Sequence, residues 1–352
     1  MMSRPVGPSN DRRTGPVPGF RTPCHPQSWG RFTQAVSQGT IQRSLLYRDS
    51  RCLSTASWIS PTMNVFRYRE DGLPVLCIVS LSLLDLLVFF QARGVWQLAL
   101  WLMLGIGLKA FICSWNHHHQ HLHTFHQPVL NRLLEICYAF HTGITTNAWV
   151  LHHVVGHHVN YLDQTKDESA WKRRDGSTMG ELEYTVVVAL TGYLRAVRIA
   201  LRYPRYQLGF FGMGFVILAL LGGAFVWNPL NAMCVFAIPM VAGYVITCWH
   251  TYCHHAGLDT QNPYEASHNI MHRTYNILTG NLGFHTAHHV KPKLHWSKLP
   301  EFHATIADRI PNHLYIEPFF PMSLLPAGGV RTSARRARRR EVSRAAATCP
   351  HE

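Results

Sequence analysis

Four apolar stretches, 73–90, 95–115, 208–227 and 230–249, each approach the roughly 20 residues that a bilayer requires. The first two are joined by "QARG" and the last two by "NP", so the pattern predicts two tight helical hairpins. A fifth stretch, "YTVVVALTGYLRAVRIALRY", carries Arg195, Arg198 and Arg202 at helical spacing. That pattern suits an amphipathic helix lying in the membrane interface better than a span. The expectation is an all-α integral membrane fold with four spanning helices, and the polar segments between them form a helical cap.

Composition supports a multi-pass membrane protein. Charged residues make up 15% of the 352-residue chain and apolar residues 47%, against about 25% charged in typical soluble domains. The net charge of +14 is concentrated at the ends. Residues 1–62 hold eight Arg and two Asp, and residues 327–352 hold seven Arg and two Glu, together +11. The near-neutral middle argues against specific nucleic-acid binding, and the tail "RTSARRARRR" reads as a disordered basic extension obeying the positive-inside rule.

The Pro-, Ser- and Arg-rich start, 1–62, reads as a disordered extension. Its acid-poor composition suits a transit peptide, but "MNVFRYREDGLPV" from Met63 reads as a natural start just ahead of a membrane segment, so the extension is expected to be non-native. Residues 63–326 then form the membrane domain and 327–352 a tail. The nine cysteines contain no CxxC pair, and Cys77, Cys113, Cys234 and Cys248 lie in apolar runs, so no disulfide framework is expected.

Histidine changes the picture. Of 24 His, 22 fall between residues 117 and 313, outside all four predicted spans. Three clusters have ligand-like spacing: "HHHQH" at 117–121, "HHVVGHH" at 152–158 and "HTAHH" at 285–289. Imidazoles four apart on a helix share a face and chelate one ion. His117 with His121 satisfies this, and so does His119 with His123. In the second cluster His153 precedes His157 by four, while His158 points elsewhere around a helix, so neighbouring histidines can serve two metals. His285 with His288 or His289 repeats the design. Eight such ligands exceed the four of one tetrahedral zinc and suit two metals, whose identity imidazole alone does not specify. With an N-terminus on the cytosolic side, helix parity brings all three clusters to the cytosolic face, where Lys166, Lys172, Arg173 and Arg174 also fall.

In their order and membrane spacing, "HHHQH", "HVVGHH" and "HTAHH" resemble the histidine boxes of the membrane fatty acid desaturases and their relatives, the alkane hydroxylases, over 73–313. The resemblance implies two irons, dioxygen as co-substrate and a lipid or acyl thioester substrate. With Phe125, Leu130 and Asn131 following, it selects His117 and His121 in the first box. It matches "TYCHHAG" to a further ligand segment, with Thr251 where the family has Asn. The implied ligands are His117, His121, His153, His157, His158, His255, His285, His288 and His289.

Each such imidazole needs an acceptor for its other N–H, and the candidates are Asp163, Asp167, Glu168, His119, His152 and His254. Asn116, His118, His123, His268, His272 and His295 have no assigned role. "NLGFHTAHHVKPKLHW" is desaturase-like, with Ala287 where the family often has Glu. "HHVVGHH" and "TYCHHAGLD" are nearer the hydroxylases, with His152 and His254 where those carry Glu. The resemblance therefore implies a desaturase, with a hydroxylase as the alternative.

No haem-attachment, rubredoxin-like or dinucleotide motif is present, so electrons are expected from a ferredoxin-like protein docking on the basic face. Trp115, Trp149 and Trp249, at or near span ends, are candidates to line a tunnel for an apolar chain. A membrane metal transporter is disfavoured, because transport sites sit mid-membrane, the four spans hold no histidine, and Asp85 is the main mid-span ionisable group. The expected location is a bacterial cytoplasmic membrane.

Overall fold

The computed structural model describes residues 64–320 and 322–326. The extension 1–62, the proposed start at Met63 and the tail 327–352 lie outside the described residues. Among the described residues the structure is helical apart from two isolated bridges and a two-residue parallel pair, β1 (Asn269–Ile270) with β2 (Tyr315–Ile316).

Helix α1 (Gly72–Gln91) ends just before Gly94. There the Gln97 side chain accepts from the N–H groups of Arg93 and Gly94 and starts α2 (Val95–His121). This helix continues six residues past the predicted span end at Trp115. Its 27 residues extend about 40 Å, roughly 10 Å more than a hydrocarbon core, so the first histidine box is the final part of the same continuous helix. Helix α6 (Pro229–His255) also has 27 residues and likewise overshoots its predicted end to finish in a histidine pair. The two pack extensively on each other. Where they touch, Cys113 Sγ of α2 donates to the Gly243 carbonyl of α6 at 3.3 Å, and on another side Gly243 leaves room for the backbone at His141, whose carbonyl oxygen would lie 2.7 Å from an added Cβ.

A helix that the apolar pattern does not announce, α3 (Pro128–Thr142), packs on α1, α2 and α6. Its fifteen residues are too few for a span, and Arg132 and Glu135 interrupt its hydropathy. It turns inward from the end of α2, so that His141 reaches Asp85 and Ser82 on α1. Gly143 ends it at φ +66° against the Met240 backbone, where a Cβ would collide.

Asp85, in α1, is not isolated. Lys109 Nζ donates to Asp85 Oδ1 at 2.8 Å and to the Val235 carbonyl at 3.0 Å, and Trp101 Nε1 donates to the same Oδ1 at 2.9 Å. Val235 lies in the π turn Met233–Ala237 within α6. Here a wider turn releases a carbonyl from helical bonding. At the far end of the hairpins, the Asn231 amide donates to the carbonyls of Phe89 and Ala92, tying one turn to the other.

The expectation of four apolar helices becomes five, because α4 (Glu181–Arg202) joins α1, α2, α5 (Pro204–Trp227) and α6 in being long and apolar enough to cross a membrane. Its two faces differ. Leu182, Leu190, Leu194 and Leu201 are exposed, while Arg195 turns inward and donates to the Glu168 carbonyl. The inner face of α4 packs with Trp149 and Leu151, just ahead of the second histidine box. The remaining helices, α7 (Arg273–Thr279), α8 (His285–Val290) and α9 (Leu299–Ile306), follow α6, and Ala287 of the third box joins Leu299, Ile306, Ile310 and Leu314 in one core.

Candidate metal centre

The ends of α2 and α6, the second box and α8 bring nine imidazoles into two adjoining groups. The first holds His117, His121, His153, His158 and His288, and the second holds His157, His255 and His289. His285 joins the second through a 3.0 Å approach of its Nε2 to that of His255. The groups abut, with the rings of His158 and His289 stacked at 4.1 Å.

Adjacent histidines are divided between the groups, as His157 from His158 and His288 from His289. The helical expectation that His153 and His157 form one chelate does not hold, because His153 pairs with His158 instead. The reason is local backbone: Val150–Val155 is a π turn, and the His158 N–H bonds the His153 carbonyl five residues back at 2.8 Å. That i to i+5 bond, one residue longer than in an α-helix, brings His158 over His153.

In the first group the Nε2 atoms of His117, His153, His158 and His288 form a closed ring with sides of 3.0 to 3.1 Å. A neutral imidazole nitrogen either donates one proton or accepts, so at most two of these four contacts are hydrogen bonds. A cation inside the ring satisfies all four. A planar ring of this size has a half-diagonal of about 2.2 Å, close to a metal–imidazole bond. His121 faces the same ring, with neither of its nitrogens hydrogen-bonded.

The second group makes a different argument. His157 Nδ1 donates to both oxygens of Asp167 at 2.8 and 2.9 Å. His255 Nδ1 donates to the Ala266 carbonyl at 2.9 Å. Both Nε2 atoms therefore carry bare lone pairs, and they face each other at 3.3 Å. Two lone pairs at that distance repel unless a cation lies between them, so these donors fit a metal.

Burial holds the imidazoles of His153, His158, His285, His288 and His289 well below their ordinary range, and neighbouring imidazoles push the same way. Neutral, buried imidazoles with unpaired nitrogens are metal ligands in waiting.

Of the candidates for orienting the ligands, Asp167 occupies that place. Asp163 does not: it is half-exposed, bonded to Lys166 and Thr165, whose contacts hold its carboxyl down at about 2. Glu168 meets no imidazole either. Its side chain lies against Gly156, where burial pushes its carboxyl up. His254 stacks on His285 at 3.9 Å, and its Nδ1 donates to the His268 carbonyl. His152 stacks on Trp149 with both nitrogens buried and unpartnered. His119 and His123 turn away from the centre toward Glu135.

The unassigned residues have structural partners. Asn116 donates to Thr142, His118 Nε2 donates to the Thr279 carbonyl and His268 Nδ1 to that of Cys253. His272 caps α7, and His295 Nε2 meets Asp71.

Trp115 lines a cavity with Val75, His121, Leu122 and Tyr138. Trp149 lines an apolar slot with Ile144, His152, Gly192 and Tyr244, and it also stacks on His153 at 5.3 Å. Trp249 lines neither; its Nε1 donates to Glu181 and its ring meets Phe319. Of the four cations expected on the docking face, Lys166 pairs with Asp163, Lys172 with Asp259 and Arg173 with Glu183. Residues with no earlier signal are the Ala266 carbonyl, which side-chain patterns never reveal, and Tyr161, whose ring packs on His289 at 4.5 Å.

Apolar helices converge on two adjoining, buried imidazole groups, each of which could hold a metal ion. The fatty acid desaturase family matches residues 94–319, well over half of the chain, and the chain belongs to that family. No curated protein matches it. Membership implies an oxidoreductase with a lipid or acyl substrate; the family is of a di-iron type, and the histidine groups could bind metal.

Proposed function

We propose that this protein is an oxygen-dependent acyl-chain desaturase of a bacterial cytoplasmic membrane, with its centre on the cytosolic face. The observation that carries the reading is the pair of adjoining imidazole groups whose Nε2 atoms face one another without enough protons to bond. His117, His121, His153, His158 and His288 would hold one iron, and His157, His255, His285 and His289 the other. Two bound irons, with dioxygen and two electrons from an outside carrier, supply the oxidising power to remove hydrogen from an unactivated methylene.

The chain's own residues provide the setting. Asp167 and the Ala266 carbonyl fix the tautomers of His157 and His255. Burial keeps the imidazoles neutral and excludes water. The apolar slot beside Trp149 adjoins the centre through the Trp149 ring, which stacks on His153. In the net reaction the chain loses two hydrogens, and dioxygen takes these with two electrons and two protons to leave as two waters. The outward leucines and inward Arg195 of α4 favour a helix lying at the interface, which leaves four spans and the three histidine boxes on one face.

Expression of the full chain with a reductase and a ferredoxin, followed by mass spectrometry of the lipids, tests the reading. New double bonds that vanish in His153→Ala and His288→Ala support it. New hydroxyls with the same dependence would establish the hydroxylase alternative, and unchanged lipids with metal fully loaded would overturn both.

A further inference from the structure

One more set of metal-binding donors converges outside the nine-histidine centre. His119 is two residues from both His117 and His121, a rotation of about 200° around α2, and it therefore faces away from the ring of ligands. His123 follows one residue beyond the C-cap of α2, and Glu135 meets both histidines from α3. The Nε2 of His119 lies 3.4 Å from Glu135 Oε1, and the Nε2 of His123 lies 3.9 Å from the same oxygen.

The surroundings fix two of these donors and leave the third adjustable. Glu135 Oε2 accepts from Arg132 Nη1 at 2.5 Å and from the Thr146 hydroxyl. That holds the carboxylate with Oε1 turned to the imidazoles. His119 Nδ1 meets the Thr124 hydroxyl at 2.9 Å, which orients the ring from behind. Glu135 and His119 are 3% and 2% exposed, whereas the side chain of His123 is 43% exposed. The set is therefore anchored within the protein and open to water on one side.

We propose that His119, His123 and Glu135 form a third metal site, separate from the di-metal centre, for a zinc-type divalent cation. Two imidazoles and one carboxylate, with a side open to solvent, make the donor set of a three-ligand zinc site. Ligands on tetrahedral bonds of about 2.1 Å stand about 3.4 Å apart, the separation already present between His119 and Glu135. His123 closes the remaining half ångström by a side-chain movement at an exposed turn. The bound cation joins the end of α2 to α3 and so steadies the helical turns that carry His117 and His121. This site does not depend on which reaction the larger centre performs.

The test uses the full chain, purified in detergent with its iron in place and titrated with Co2+ as the probe. One equivalent of Co2+ beyond the iron is expected, with visible absorption bands of a nitrogen- and oxygen-ligated ion. His123→Ala and Glu135→Gln should each weaken that binding at least tenfold and leave the iron content unchanged. If Glu135→Gln fails to fold, the exposed His123→Ala carries the test. Absence of an extra equivalent in the wild type, or equal Co2+ binding in His123→Ala, overturns the proposal. So does loss of the extra equivalent in His117→Ala but not in His123→Ala, which would locate the Co2+ in the larger centre.

Discussion

Asp167 holds His157 by both carboxylate oxygens, at 2.8 and 2.9 Å from Nδ1, with both side chains almost wholly buried. This contact decides which nitrogen of His157 bears the proton and leaves Nε2 bare toward His255. Replacing Asp167 by Asn keeps the shape but weakens the acceptor. Metal affinity, measured by competition with a chelator, should fall about 10- to 100-fold. Asp163→Asn, four residues away on the surface, should leave affinity unchanged, and equal losses in the two variants would refute the assignment.

The two interleaved pairs on α2 should separate by metal content. His117 belongs to the closed ring of Nε2 atoms, whereas His119 faces Glu135. Iron per chain should drop in His117→Ala and persist in His119→Ala. Equal iron in the two variants would show that this division of the helix faces does not govern binding.

Lys109 and Asp85 form an ion pair with side chains 1% and 2% exposed. Removing one partner leaves a buried charge without its counterion, at a cost of about 3–5 kcal/mol. Lys109→Met should therefore unfold much earlier in detergent than the wild type, and Lys109→Met combined with Asp85→Asn should recover part of the loss. A double variant no more stable than Lys109→Met would argue against charge as the cause.

Gly143 combines a left-handed backbone with close approach to Met240. Gly143→Ala should destabilise by at least about 1–2 kcal/mol from backbone strain alone, read as earlier thermal unfolding. An unshifted transition would mean that α3 ends differently.

Electron delivery by an acidic carrier should slow as salt rises, because exposed charges are screened over about 10 Å at 0.1 M. The pairing of Lys166, Lys172 and Arg173 with acids makes the expected dependence shallow. Rates that do not change between low and high salt would exclude electrostatic docking.

Local pattern was sufficient for the hairpins and for the three boxes, because apolar runs and histidine spacing are properties of adjacent residues. It did not reveal α3, whose buried face mixes Leu134 and Tyr138 with Glu135 and His141. Nor did it pair Asp85 with Lys109, 24 residues away on another helix. The expected chelate of His153 with His157 failed for a related reason: a helix of 3.6 residues per turn was assumed where the backbone makes a π turn.

The sequence by itself determined that membrane-length helices lead into clustered imidazoles, enough for two metals. Only the tertiary structure decided how those imidazoles divide, and that Asp167 rather than Asp163 or Glu168 stands behind a ligand. The physical reason is that a nitrogen's role depends on what lies within about 3 Å of it. At this centre those neighbours come from α2, the second box, α6 and α8, up to 171 residues apart in the chain.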